Sequence, residues 1–229
     1  MWGVAAQHVG RAVGWTVGCL LAPALLGAMF GPRWVAVGLL IGVIGTLWLL
    51  FWLPRSAHRA FEVARFDRAA RRYRVLALLA FSAHRERAAS LSRAGCDVAS
   101  GKLERAEAAL AEIDPQSLDT SERAVWLNNR ACAALDAHRD AAQALATADE
   151  AIGLRPDVPA IQHTRARALL AVGRLDDAIA VLDAMRTGGE LAPWLEAERC
   201  RELATAWDRK GQADYASDYR DRARLVATR

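Results

Sequence analysis

Acidic residues are missing from the first 54 positions of this 229-residue chain, and lysine occurs only twice in all of it. Arginine carries nearly all of the positive charge, a usage typical of GC-rich bacterial genomes. The four cysteines lack the paired spacing of a disulfide framework or a zinc site. These absences argue against a secreted, disulfide-stabilised protein and favour a reducing compartment.

The sequence also lacks the short motifs of several large enzyme classes. The dinucleotide-binding GxGxxG, the P-loop, HExxH and GxSxG are all missing, and the five histidines show no metal-ligand spacing. We therefore predict a protein without catalytic activity, cofactor or bound metal.

Two long runs without any charge dominate the N-terminal part. They read AVGWTVGCLLAPALLGAMF over residues 12–30 and VAVGLLIGVIGTLWLLFWL over residues 35–53, joined by the turn GPRW. Each run would span about 28 Å as a helix, close to the hydrocarbon thickness of a bilayer. The sequence therefore predicts a transmembrane helical hairpin in residues 1–54.

Two alternatives compete with this hairpin. A cleaved signal peptide over residues 1–30 is the first, but the apolar run is long for one and its start is uncharged. A buried hairpin of a soluble protein is the second, and the run over residues 35–53 argues against it because it is apolar all round.

Arginines are distributed unequally on the two sides of the hairpin. The turn has only Arg33, whereas residues 55–74 contain seven arginines against two acids. The positive-inside rule then predicts both termini in the cytoplasm and a location in the inner membrane of a bacterium. Residues 75–229 have 24 acids and 21 basic residues, so the high isoelectric point of the chain comes from the arginines near residue 60. No aromatic platform accompanies the charge, which argues against a nucleic-acid partner.

Residues 55–81 are predicted to form a single basic juxtamembrane helix, a partial repeat that seeds the domain after it. Arginines just inside a membrane bind anionic head groups at about 1 kcal/mol each. The alternative is that they only fix the topology, and the two roles are compatible. The predicted lipid contacts are Arg55, Arg59, Arg65, Arg68 and Arg72.

Glycines spaced four residues apart form a stripe on each of the two apolar helices. Such stripes let helix backbones approach closely in lipid. One interpretation is that the two helices of the hairpin pack on each other, and the other is that a stripe recruits a further membrane helix or a second copy. The stripes are Gly10, Gly14 and Gly18 on the first helix and Gly38 and Gly42 on the second.

Turn-like markers recur through the rest of the chain at spacings of 37, 38, 34 and 38 residues. A small residue stands five positions after each marker and another stands seven positions before it. Small residues let two helices cross closely, so each unit is predicted to be a helix pair. Within residues 121–158 the position of the repeat could be shifted by one residue. The markers are Ala64, Gly101, Arg139, Gly173 and Gly211; the small residues are Ala69, Ala106, Ala144, Ala178 and Ala216 after them and Ala57, Ala94, Cys132, Ala166 and Ala204 before them.

This period with these small positions resembles the tetratricopeptide repeat (TPR) family. The best matches are AVGRLDDAIAVLDAM, residues 171–185, and the segment LNNRACAAL followed by ADEAIGLRP. The resemblance covers residues 82–229 and implies an all-α protein, in which a two-helix transmembrane hairpin precedes a TPR-like α-solenoid of about four helix pairs.

The resemblance further implies a concave groove, lined by the first helix of each repeat, that holds an extended peptide or a helix of a partner. Asn128, Asn129, His163 and Arg167 are the polar residues expected on those helices. Asparagine can bond a peptide backbone through both donor and acceptor, and Arg167 could pair with a partner carboxylate. The alternative for both asparagines is capping or bonding between helices.

Two functions remain open from the sequence. One is a membrane-anchored cytoplasmic TPR adaptor that binds another protein without catalysis. The other is a small integral subunit of a larger membrane complex, recognised through the glycine-rich transmembrane helices. Self-association is a variant of the second function that the sequence leaves open.

Overall fold

The computed structural model describes residues 2–185 and 190–227, and within them every side chain except those of residues 2–9 and Ala12. All regular structure in this described part is helical, so the predicted all-α class is confirmed there. The predicted repeat domain, residues 82–229, therefore includes two short stretches, 186–189 and 228–229, that lie outside the described residues.

Two apolar helices begin the chain. Helix α1, Trp2–Phe30, and helix α2, Arg33–Leu47, are joined by a turn in which Gly31 has a φ of +100°. By length and composition both could cross a membrane. Only 6% and 11% of their apolar windows are buried inside the protein, whereas the core helix of a soluble protein would be largely covered.

The second apolar helix continues far beyond its apolar run. A π-helical segment, Trp48–Trp52, links α2 without a break to α3, Leu53–Glu62, so that residues 33–62 form one helix of 30 residues. Such a helix is about 45 Å long, which exceeds the hydrocarbon thickness of a bilayer by roughly 15 Å. Its last part, α3, lies beyond the apolar run and packs against the helix that follows it.

Ten helices, α3 to α12, form five consecutive antiparallel pairs in the described residues. The first helices of the pairs are α3, α5, α7, α9 and α11, and the second helices are α4, α6, α8, α10 and α12. Their remaining bounds are α4 Phe66–Leu78, α5 Ala83–Ala99, α6 Leu103–Ala111, α7 Thr120–Asp136, α8 Ala141–Leu154, α9 Pro159–Ala171, α10 Leu175–Ala184, α11 Pro193–Arg209 and α12 Ala213–Ala227.

The prediction of a single helix over residues 55–81 is wrong. Residues 53–78 form a complete pair, α3 and α4, whose small residues Ala57 and Ala69 are both fully buried. The sequence interpretation treated a membrane span and the first helix of a repeat as mutually exclusive. One long helix contains both the apolar run and the first helix of the pair, and it continues through Pro54, which has no N–H to donate and lies two residues after the π-helical segment.

The two helices of every pair are joined by a turn with one left-handed residue. The amide after that residue donates to a carbonyl five positions before it, as from Arg174 to Leu169 at 2.9 Å. This is a Schellman motif, which satisfies the last carbonyls of the first helix and reverses the chain. The recurring markers in the sequence are therefore C-terminal helix caps. The left-handed residues are Ala64, Gly101, His138, Gly173 and Gly211.

The third turn differs from the others by one residue, which settles the open phase. His138, not Arg139, is its left-handed residue, and four residues rather than three separate α7 from α8. The extra residue is Asp140, whose carboxylate accepts the amides of two following residues and caps α8. The small residue seven positions before the marker is consequently Ala131, which is 1% exposed, and not Cys132.

We expect Gly173→Ala to destabilise the chain and Gly153→Ala to stabilise it. A Cβ atom at either position meets nothing within 4 Å, so only the backbone differs. The φ of +84° at Gly173 makes a side chain cost about 1–2 kcal/mol, whereas alanine gains roughly 0.5–1 kcal/mol in helix α8. The melting temperature of the full chain, followed by circular dichroism, should shift roughly 2–4 °C per kcal/mol. Shifts of equal sign would contradict the turn assignment.

Candidate functional site

The first helices of the pairs enclose a cleft of about 580 Å³ on the concave side of the array. Helices α5, α7, α9 and α11 form its wall, and the corner between α3 and α4 lies against one side. The four residues predicted to bind a partner, Asn128, Asn129, His163 and Arg167, all line this one cleft. The structure thus brings them together, although they come from two different repeats.

An aromatic cluster closes one side of the cleft. The rings of Phe61 and Phe66 lie 5.3 and 5.7 Å from the ring of Trp194, and all three pairs of rings meet edge to face. Aromatic pairs in this geometry contribute about 0.5–1.5 kcal/mol beyond their buried area. The contact joins the first helix pair to α11, so the two ends of the array touch across the cleft.

The two neighbouring asparagines have different roles in this structure. Asn129 is 6% exposed, and its Nδ2 donates to the carbonyl of Leu91 at 2.9 Å. Gly95 gives it room, since a Cβ there would lie 3.2 Å from its Oδ1. Asn129 therefore holds α7 against α5, as the alternative of bonding between helices predicted. Asn128 is different, because its buried Oδ1 has no partner in the described chain.

His163 lies on the floor of the cleft and is 7% exposed. Burial, together with the nearby charge of Arg167, lowers the pKa of His163 to about 3. The imidazole is therefore neutral near neutral pH and offers one donor and one acceptor. Its buried Nε2 has no hydrogen-bond partner among the described residues.

Arg167 is already paired within the chain. Its guanidinium contacts the carboxylate of Asp136 on α7, and its Nε lies 3.4 Å from Oε1 of Glu202 on α11. Burial raises the pKa of Glu202, Arg167 opposes that rise, and the carboxylates of Glu198 and Asp136 add to it. Arg167 therefore has two carboxylate contacts within its own chain, and its pairing with a partner carboxylate stays a prediction.

The residues around Arg167 give this end of the cleft an acidic character. Asp136, Glu198 and Glu202 place three carboxylates in the lining of this end, where Arg167 is the cation. Glu198 also pairs with the exposed Arg201 at the rim. The pKa of Glu202 is raised because burial and the neighbouring carboxylates disfavour its charged form. A further cation bound here would stabilise that charged form.

Sequence reasoning missed this acidic group, although a signal for it exists. Asp136 precedes Arg167 by 31 residues and Glu202 follows it by 35, distances close to the repeat period. Charged residues one period apart lie on equivalent faces of neighbouring first helices, where side chains can meet. A search for opposite charges at the repeat spacing would have identified the pairing.

The five predicted lipid-contacting arginines do not lie at one level. Arg55 donates to the carbonyl of Phe51, and Arg72 donates to that of Ser56 and lies over the ring of Trp52, so both are near the end of the apolar run. Helix α4 runs back towards the hairpin.

The remaining three arginines, Arg59, Arg65 and Arg68, lie farther from the apolar run. Arg65 precedes Leu78, at the end of α4, by 13 positions and is thus about 20 Å away along the helix. None of the five arginines has an acidic partner within 4 Å in the described part of the chain.

The two glycine stripes have different surroundings. A Cβ on Gly38 would lie 2.8 Å from Cα of Pro23, and one on Gly42 would lie 3.5 Å from Sγ of Cys19. This stripe therefore serves the packing of α2 on α1. The stripe of Gly10, Gly14 and Gly18 faces open space, with no described atom within 4 Å of any added Cβ.

A group of metal-ligand side chains outside the cleft has another role. His84, Asp119 and Glu122 bring their ligand atoms within 4.8 Å of one another. Asp119 and Glu122 exchange hydrogen bonds with each other's backbone amides as a capping box at the start of α7. Glu122 also accepts from Arg87 at 3.1 Å and lies 2.9 Å from His84. Helix capping and ion pairing account for this arrangement.

A family model of the tetratricopeptide repeat matches residues 137–187. The match includes the turn at His138 and helices α8, α9 and α10. It supports the TPR family for this chain and, with it, a role in protein–protein interaction. Comparisons with curated proteins and with solved structures gave no match.

We expect the chain to lose stability as the pH falls below about 6.5, partly because folding keeps His163 neutral. Its pKa is about 3 when folded and about 6.5 when unfolded. Between these values the unfolded state binds the extra proton and is favoured. The urea midpoint of the parent chain should be lower at about pH 4.5 than at about pH 7, and this difference should be smaller in His163→Gln. An unchanged difference in His163→Gln would contradict the assignment.

Proposed function

We propose that this protein is a membrane-anchored adaptor of a bacterial inner membrane, without catalytic activity. The hairpin of α1 and α2 crosses the membrane, both termini lie in the cytoplasm, and the repeats bind a segment of another protein. The observation that carries the proposal is the concave cleft, in which four first helices and an aromatic cluster enclose partly unsatisfied polar groups. The match to the TPR family supports a protein as the ligand.

The surface of the hairpin supports the anchoring. Its described apolar side chains are largely exposed from Val13 to Phe30 and along α2, including Leu40 at 59% and Leu25 at 62%. Soluble proteins rarely expose a continuous apolar surface of this extent. Arg55 and Arg72, which have no acidic partner among the described residues, lie at the end of the apolar run and fit the cytoplasmic side of a bilayer.

The cleft fits a segment with an apolar side chain and a cationic one. Phe61, Phe66 and Trp194 offer an apolar surface, whereas Asp136, Glu198 and Glu202 offer negative charge at the other end of the cleft. Asn128 and His163 lie between them with buried atoms that have no partner. A peptide backbone would satisfy these atoms, and a lysine or arginine would pair with the carboxylates.

A selection from a displayed peptide library tests this proposal, with the full chain in nanodiscs as the target. We expect the selected peptides to combine a lysine or arginine with an aromatic or aliphatic residue. The double variant Glu198→Gln and Glu202→Gln should weaken their binding about tenfold or more, because it removes two carboxylates and keeps the shape. The dissociation constant of a selected peptide, measured by fluorescence anisotropy, gives the effect.

The matched control removes two acids from the outer helices instead. Asp183 and Asp218 are exposed on α10 and α12, so Asp183→Asn with Asp218→Asn should leave binding unchanged. Selected peptides that are mainly acidic, or an equal loss in both double variants, would overturn the assignment of the cleft. Asn129 is unsuitable for this test because its loss would remove the buried hydrogen bond that joins α7 to α5.

The second candidate function is an integral subunit of a larger membrane complex. The observation that favours it is the stripe of Gly10, Gly14 and Gly18, which no described helix of this chain covers. A stripe of this kind allows a second helix to approach closely. In this function the repeats stabilise the assembly and the hairpin provides the specificity.

Gly14→Leu is expected to reduce the mass of any such complex while the hairpin stays folded. Gly45→Leu is the matched control, because its Cβ also meets nothing within 4 Å but lies outside the stripe. Gly38→Leu is a poor test, since it would collide with the backbone of Pro23. Light scattering in a mild detergent measures the mass, and equal masses for the parent and Gly14→Leu would count against the second function.

A further inference from the structure

The corner between α4 and α5, residues 75–81, exposes a cluster of apolar side chains. Leu78 is 58% exposed, and Val75 and Leu79 are each 37% exposed. Only four other large apolar side chains are exposed beyond residue 54 in the described chain, and they are scattered. An exposed cluster of this kind marks a surface that another apolar phase covers.

Contacts with α1 place this corner at the edge of the apolar hairpin. Nη1 of Arg11 lies 3.5 Å from the carbonyl oxygen of Ala77. One helical turn farther into the hairpin, the ring of Phe81 lies 6.2 Å from that of Trp15, whose Nε1 donates to Thr46 at 3.2 Å. Residues 77–81 therefore extend about 5 Å beyond the level of Arg11, towards the apolar layer.

The corner also shares a cavity with the second apolar helix. This cavity has a volume of about 350 Å³ and is lined by Leu49 and Leu50 of the π-helical segment and by Leu79 and Phe81 of the corner. The cavity therefore lies between the corner and the end of the second apolar helix. Whatever covers the hairpin at this level reaches the corner as well.

Two arginines flank the apolar cluster in the sequence. Arg74 on α4 and Arg85 on α5 have no acidic partner within 4 Å among the described residues, and Arg85 lines the cavity. Most arginines of the later repeats are paired with acids, as Arg123 is with Glu150. Unpaired arginines beside an exposed apolar cluster match an anionic lipid surface, which offers acyl chains and phosphates together.

We propose that residues 75–81 insert into the head-group and upper acyl region of the bilayer, as a third membrane contact beside the two spans. The inference rests on the proposed anchoring of the hairpin. The apolar side chains contact acyl chains at a depth of about 5–10 Å, as in other interfacial segments, and Arg74 and Arg85 bind lipid phosphates. The repeats are thereby held against the membrane at two points rather than by the hairpin alone.

Fluorescence quenching in vesicles of phosphatidylcholine and phosphatidylglycerol tests the insertion. A fluorescent amino acid is placed by stop-codon suppression at Leu78, Leu40 or Leu225 of the full chain, and some lipids carry a nitroxide quencher on the upper acyl chain. Leu40 lies within the second span and Leu225 is 66% exposed on α12. We expect quenching at Leu78 to reach on the order of half of that at Leu40 and quenching at Leu225 to be absent.

Quenching at the three labelled positions distinguishes a failure of the insertion from a failure of the anchoring. No quenching at Leu78, with strong quenching at Leu40, would overturn the insertion and leave the anchoring intact; a second copy or another protein covering the corner would give this result. No quenching at Leu40 would overturn the anchoring itself. As a second measurement, Leu79→Asp should at least halve the quenching at Leu78, and an unchanged value would also contradict the insertion.

Discussion

One continuous helix, from Arg33 to Glu62, joins the apolar hairpin to the helical repeats, and the placement of the other elements depends on it. A helix is stiff, so the first repeat keeps a fixed orientation relative to the hairpin. Phe61, near the end of this helix, contacts Trp194 of α11. The element that leaves the hairpin therefore also closes one side of the cleft, and a flexible linker in its place would lose both constraints.

The cleft combines groups that are rarely left without partners in a folded protein. Buried polar atoms of Asn128 and His163 have none among the described residues, and a buried atom of this kind costs about 1–3 kcal/mol. His163 is neutral and the charge of Arg167 is compensated by Asp136 and Glu202. The remaining carboxylate charge therefore makes the cleft negative. These properties suit a ligand that brings its own donors and a cation, which is why a peptide segment fits better than an apolar molecule.

The repeats could be predicted from the sequence because small residues and left-handed turns recur at a readable period. The position of the third turn was predicted one residue too late, because the additional residue Asp140, which caps α8, is recognised only from the backbone. The first pair was missed because α3 is continuous with an apolar helix. The four cleft residues were found by position, but the hydrogen bond of Asn129 and the pairing of Arg167 depend on neighbouring repeats. Pairwise contacts of this kind cannot be derived from one helix at a time.

The length of α3 connects the proposed anchoring with the charge of the cleft. Phe61 follows Leu53 by eight residues, so this side of the cleft lies about 12 Å from the end of the apolar run. A segment bound there is held close to the bilayer surface, under the proposed anchoring. Cytoplasmic segments next to membrane spans are rich in lysine and arginine by the positive-inside rule. The acidic end begins one helical turn from this side, since Glu198 follows Trp194 by four residues on α11. Under the proposed anchoring, the cleft would suit the basic cytoplasmic flank of another membrane protein, and the adaptor and subunit functions would then differ mainly in how much of the hairpin takes part.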